Sequence, residues 1–172
     1  MKMFRIWSLC VQVFYGFLKS YMFILAVGVV VSAGALILFI YYQDIVGLSI
    51  VLTFVKHFYC GLVAGFAVHE LAHAFLISLT MCELKYIIIE STFARFSIKA
   101  VGTSTGRGVF LVALCGPVVA SLFGICLNFM FPNSGLIGWY IFHLFYLLPI
   151  FADGRSIIFG IRHWSSVVYI GK

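Results

Sequence analysis

From Ser20 to Tyr42 the chain carries no charged residue. An uncharged apolar run of that length constrains which solvent the fold must meet. At 1.5 Å per residue it can cross a hydrocarbon core of about 30 Å as a single helix. The signature recurs at Phe58–Cys82, at Val109–Phe131 and at Leu136–Phe159, the last interrupted by Pro149 and by Asp153-Gly154-Arg155. With 64% apolar and 9% charged residues among 172, a soluble fold of this size has too little interior to hide the excess. The expected architecture is an α-helical polytopic membrane protein with about four transmembrane helices. Ile45–Val55 is apolar but short. It either extends the second span past Lys56 and His57 or lies in the interface.

Residues 1–19 read as an interfacial amphipathic helix. Phe4, Trp7, Val11, Phe14 and Leu18 recur at helical spacing among Lys2, Arg5, Gln12 and Lys19, and no small-residue cleavage site follows as a signal peptide would require. The chain then divides into a first transmembrane helix and outer loop (20–57), a core of three helices (58–163) and a cytosolic tail (164–172). If the N-terminus is inside, Lys2, Arg5, Lys19, Lys85, Arg95, Lys99, Arg107, Arg155, Arg162 and Lys172 are all cytosolic and Lys56 alone is outside. That asymmetry satisfies the positive-inside rule, with both termini in the cytosol of a bacterial-type cytoplasmic membrane. The net charge of +6 follows from this orientation and from anionic lipid, so no nucleic-acid partner is expected. Five cysteines without a C-x-x-C pair read as small hydrophobes within apolar helix.

Within the second apolar stretch stands His69-Glu70-Leu71-Ala72-His73. H-E-x-x-H on a helix puts two imidazoles one turn apart on one face, where both can bind zinc, and puts the glutamate where it can act as general base. Ionisable groups at membrane depth are costly and are read as functional. A catalytic zinc needs a third protein ligand. Of five acidic residues, only Glu70 and Asp153 fall inside spans, which makes Asp153 the candidate. The alternative is a structural kink in which Asp153 pairs with Arg155. A divalent ion, two carboxylates and two neutral imidazoles sum to zero charge. Without the ion each carboxylate would cost about 2.5–3.5 kcal/mol at the bilayer centre.

Gly61, Gly65, His69 and His73 fall every four residues, and Gly116, Ala120 and Gly124 repeat the device in the third span, with Asn128 on the same stripe. Small residues at that spacing let helix backbones approach closely. Pro149 and Gly154 bracket Asp153, and broken helix at membrane depth is tolerated where it lines a cavity. Between the second and third spans, Leu84–Glu90 is rich in strand formers. Ala94–Val101 alternates, with Arg95, Ser97 and Lys99 on one face and Phe96 and Ile98 on the other. A small β-hairpin turning at Ser91 and Thr92 is expected, able to hold an extended peptide by strand addition or serving as a simple connector.

These residues resemble the site-2 protease family of intramembrane zinc metalloproteases. The likeness runs from His69-Glu70-Leu71-Ala72-His73 through Gly116-Pro117 to Leu147-Leu148-Pro149 and Asp153-Gly154, covering roughly residues 58–160. It implies His69, His73 and Asp153 as zinc ligands, Glu70 as the base that activates water, and the β segment as the element that presents substrate in extended form. The chain departs from the family at Ala120 and Tyr146, where asparagines are usual, and the stretch from Pro149 to Asp153 is one residue shorter. Tyr146, Ser121 and Asn128 are the polar residues that could position substrate instead. No PDZ or CBS segment is recognisable, so regulation is expected from a separate membrane partner.

The expected function is therefore an intramembrane zinc endopeptidase acting on a membrane-embedded or membrane-bound protein or peptide. The main alternative is an inactive pseudoprotease that binds peptides as a chaperone or immunity factor. A zinc protease of the kind that trims prenylated C-termini would need a glutamate ligand, and only Glu83 and Glu90 are available, both outside the spans. His57 lies about 18 Å along a helix from His69 and His143 about 15 Å from Asp153. Both are therefore expected outside the site unless the chain folds back. His163 is expected to face headgroups.

Overall fold

A computed structural model describes residues 2–92 and 95–171, with side chains from 7–90 and 96–171. The chain folds into long apolar helices packed around a small antiparallel sheet. Helix α1 spans Lys2–Tyr42, α2 spans Ile45–Val55, and a π-helical stretch, Lys56–Val63, runs into α3 at Ala64–Thr80. Strands β1 (Met81–Thr92) and β2 (Arg95–Thr105) follow, then α4 (Gly106–Met130) and α5 (Ile137–Ile141). A 3-10 turn at Phe142–Leu147, α6 (Ala152–Arg162) and β3 (Val167–Ile170) complete the chain. Among the described residues three helical stretches are long and apolar enough to cross a membrane: Trp7–Tyr42, Ile45–Thr80 and Gly106–Met130. Ile137–Leu147 and Ala152–Arg162, bent by 44°, make a fourth if counted as one broken span.

One boundary differs from the sequence expectation, and one that the sequence leaves open is decided. No break separates residues 2–19 from 20–42, because nothing in that stretch interrupts helical hydrogen bonding. The face that α1 buries is also another one. Leu9, Val13, Phe17 and Tyr21 are buried, while Trp7, Val11, Phe14 and Leu18 are exposed. A helix that is apolar nearly all round does not declare which side will meet the protein. Ile45–Val55 extends the second helix rather than lying apart, with Asp44 capping its start by accepting from Gly47 N at 2.9 Å. Tyr59, in the π-helical stretch, ties this helix to α1 by donating its hydroxyl proton to Ile24 O at 2.6 Å.

The hairpin forms where expected, over longer strands. Ser91 and Thr92 belong to β1, paired with Phe96 and Arg95. The turn expected at Ser91 and Thr92 is therefore not there; Phe93 and Ala94 lie outside the described residues, as do the side chains of Lys2, Phe4, Arg5, Arg95 and Lys172. Register shifts near Met81 and Leu84 bend β1. Opposite stands Gly102, with φ +152°, where an added Cβ would strike the Glu83 carbonyl. The expected cytosolic tail contains β3, which pairs antiparallel with β2 over Gly102–Thr105 and makes the sheet three-stranded in the order β1-β2-β3. Strand β2 is therefore paired on both edges only near its end.

The sheet packs on α1 and α3. Leu9, Val13, Phe17 and Tyr21 of α1, Ala74 and Ile77 of α3, and Phe96 and Ala100 of β2 form one buried cluster. The Phe17 and Phe96 rings meet edge to face at 5.3 Å. All five cysteines are free.

Candidate metal centre

Helix α3 presents His69 and His73 on one face, as the spacing requires, and both are buried. The third member arrives from the break that precedes α6. Leu148 is extended, as a residue before proline prefers, and helix resumes only at Ala152. Asp153 therefore sits in the first turn of α6, where unpaired backbone N–H groups favour a carboxylate. Its Oδ2 lies 3.1 Å from His69 Nε2 and its Oδ1 3.5 Å from His73 Nε2, and the two Nε2 atoms are 3.0 Å apart. Arg155 does not take the carboxylate, since its guanidinium donates to Ile150 O at 2.7 Å.

The three groups form a set that could hold a metal ion. Ligands at about 2.0–2.1 Å around a tetrahedral ion stand roughly 3.3–3.4 Å from one another; here the two Nε2 atoms are 3.0 Å apart and one ligand atom from each residue lies within 4.8 Å of the others. His73 Nδ1 also faces Val112 O at 2.8 Å. A carbonyl can only accept, so the ring proton is on Nδ1 and the Nε2 lone pair faces the cluster. With His69 Nε2 also bare, two nitrogens and a carboxylate would converge as an acceptor-rich locus that a cation could satisfy.

Glu70 is buried and lines the same cavity of about 670 Å³ as His69, His73 and Asp153. Tyr146 lines it too, its ring 5.3 Å from that of His69. Ser121 does not: its hydroxyl donates to Pro117 O at 2.8 Å and Tyr140 O at 3.2 Å, tying α4 to α5. Asn128 lies a further turn or two along α4, half-buried and away from the cavity. Residues 96–100 of β2 line the same cavity and are the part of that strand with no β3 beside it.

One residue set aside on sequence grounds belongs here. His143 is 1% exposed, with its Nδ1 3.2 Å from His69 Nδ1. The distance estimated along a straight helix fails because the 3-10 turn and the break after it fold the chain back. No local signal marked it. His57 instead accepts from Trp139 Nε1 at 3.1 Å, and His163 Nδ1 faces Phe159 O at 3.0 Å.

The small-residue stripes explain how the helices come so near. A Cβ at Gly116 would stand 2.5 Å from His73 Cε1 and Nε2 and 2.9 Å from His69 Nε2. Neither ring has room to withdraw, His73 being held on Val112. If the set holds a divalent ion, Gly116→Ala is expected to weaken its binding about 10–100-fold by turning the imidazoles. Equilibrium titration of the purified chain measures this, and wild-type affinity would contradict the packing described.

Comparison of the chain with protein-family models, with curated proteins and with solved structures returns no match. What the site can do is therefore read from its own side chains.

Proposed function

We propose that this chain is an intramembrane zinc endopeptidase of the site-2 protease kind, hydrolysing a peptide bond of a membrane-embedded or membrane-bound substrate. The observation that carries the proposal is the meeting of His69, His73 and Asp153 in a cavity that Glu70 also lines. A bilayer setting is supported by the long apolar helices and by their outward surface, where Val29 and Val30 are each 70% exposed. Lys85, Lys99, Arg107 and Arg162 belong to the sheet and the helix ends joined to it. Both termini in the cytosol then follow from the positive-inside rule.

His69 and His73 would hold the ion through Nε2, and Asp153 through its carboxylate. Zinc bound there supplies Lewis acidity, polarising a carbonyl and acidifying water. Glu70 takes the proton from the attacking water and returns it to the leaving nitrogen. The unpaired edge of β2 offers backbone groups to an extended peptide, which exposes its carbonyls as a helix would not. Ser97, on that stretch and on the cavity lining, has a buried hydroxyl with no partner among the described residues, and a peptide held in the cavity would give it one. Tyr146 stands where the family carries an asparagine and lines the cavity with its ring 5.3 Å from that of His69, which makes it the candidate donor for the scissile carbonyl.

A non-cleaving peptide-binding or immunity protein is the second reading, favoured by Ala120, which is apolar and 0% exposed where the family carries the other asparagine. The probe is a co-expressed reporter with one apolar span broken by Gly-Pro between two tags. The endopeptidase is expected to contain one zinc per chain, to stop cutting the reporter when a chelator strips the ion, and to recover on zinc addition. Stoichiometric zinc without cleavage supports the binder. Cleavage that survives complete metal removal excludes the zinc mechanism.

A further inference from the structure

We infer that His143 is a positioning residue for the metal centre, holding His69 in the tautomer that can ligate. The inference rests on the reading that His69, His73 and Asp153 bind the ion. Two neutral imidazoles with Nδ1 atoms 3.2 Å apart share one proton, carried by one ring and accepted by the other. If His69 carries it, its Nε2 is left bare toward His73 and Asp153. If His143 carries it, His69 must hold its proton on Nε2, where it donates to Asp153 Oδ2 at 3.1 Å. In that second state the histidine and carboxylate satisfy each other and the locus is closed to a cation. Ligation therefore requires His143 to accept on Nδ1 and keep its own proton on Nε2.

The surroundings of His143 are built for a ring at this place. A Cβ at Gly65 would lie 2.9 Å from His143 Nε2, so the missing side chain on α3 is what lets the imidazole in. Phe66 meets it edge to face at 5.0 Å, and Tyr146 stacks at 5.7 Å. Packing alone would be served by phenylalanine, and a buried polar ring without a hydrogen-bonding role is costly. The two ligating histidines are thus oriented by different devices. His73 has a backbone carbonyl that no substitution removes, whereas His69 has a side chain that one does.

The test uses the purified full chain in detergent, with zinc and cobalt(II) as probes and no substrate. His143→Phe keeps the ring between Phe66 and Tyr146 but removes the acceptor. His143→Asn places Oδ1 close to where Nδ1 stood. Phe is expected to weaken zinc binding about 10–100-fold and to alter the visible spectrum of bound cobalt, with Asn restoring most of both. Wild-type zinc affinity and an unchanged cobalt spectrum in His143→Phe would overturn the role, as would an Asn variant as impaired as Phe. Nitrogen NMR of the histidine-labelled, zinc-loaded wild type is independent of how the variants fold. A bare Nδ1 on His143 supports the inference and a protonated one overturns it. A wild-type chain that takes up neither ion removes the metal site itself, and the role of His143 with it.

Discussion

Asp153→Asn is expected to empty the metal centre while leaving the chain folded. The amide matches the carboxylate in shape and its oxygen can still accept from an imidazole N–H, so the first turn of α6 has no reason to move. An amide oxygen is a far poorer ligand than a carboxylate, and it brings no charge to offset the divalent ion. Structural zinc sites gain about 10–16 kcal/mol from four ligands, or roughly 3–4 kcal/mol for each. Losing one should lower zinc affinity about 10²–10³-fold. The carboxylate's second contribution acts in the same direction. With Asp153 neutralised, the ion and Glu70 leave an uncompensated positive charge at a depth where charge is expensive. Zinc per chain after dialysis and a cobalt titration measure the loss, and circular dichroism verifies the helices. Wild-type zinc content in this variant would mean that Asp153, 3.1 and 3.5 Å from the two imidazoles, is only their hydrogen-bond partner.

The parts of this molecule legible in its sequence were those whose physics is local or reached by elimination. The i, i+4 histidines needed only a helix, and Asp153 needed only a count of carboxylates inside apolar stretches. The hairpin showed in the alternation from Phe96 onward. What escaped depended on partners distant in the chain. Strand β3 is four residues long with a half-exposed pattern, and it exists because the end of β2 offers it hydrogen bonds. His143 is not legible from distance along a straight helix, because its segment tightens to 3-10 at Phe142–Leu147 and then unwinds before α6. Pro149 and its effect on Leu148 announced the break, but not the direction of return. For α1, the division expected at Lys19 has no counterpart in the backbone, which continues as one helix. Ser121 was a polar residue awaiting a role, and the role proved to be a helix-to-helix tie.

Glu70→Gln should have the opposite profile to Asp153→Asn, with zinc kept and cleavage lost. Glu70 follows His69 directly, is 7% exposed and lines the same cavity as the cluster. Glutamine has nearly its shape and can still hold a water, but it cannot receive that water's proton. A general base contributes about 10²–10⁴-fold, or roughly 3–5 kcal/mol of barrier at 1.36 kcal/mol per tenfold. Reporter cleavage is expected to fall by that factor at unchanged zinc stoichiometry. The two variants together separate holding the ion from using it. If Gln cuts as fast as Glu, the proton goes elsewhere, and Tyr146 becomes the group to test. If wild type and Gln are equally silent with zinc bound, the chain keeps a metal site without a reaction. The buried Ala120 and the open edge of β2 then describe a site that grips a peptide and leaves it whole.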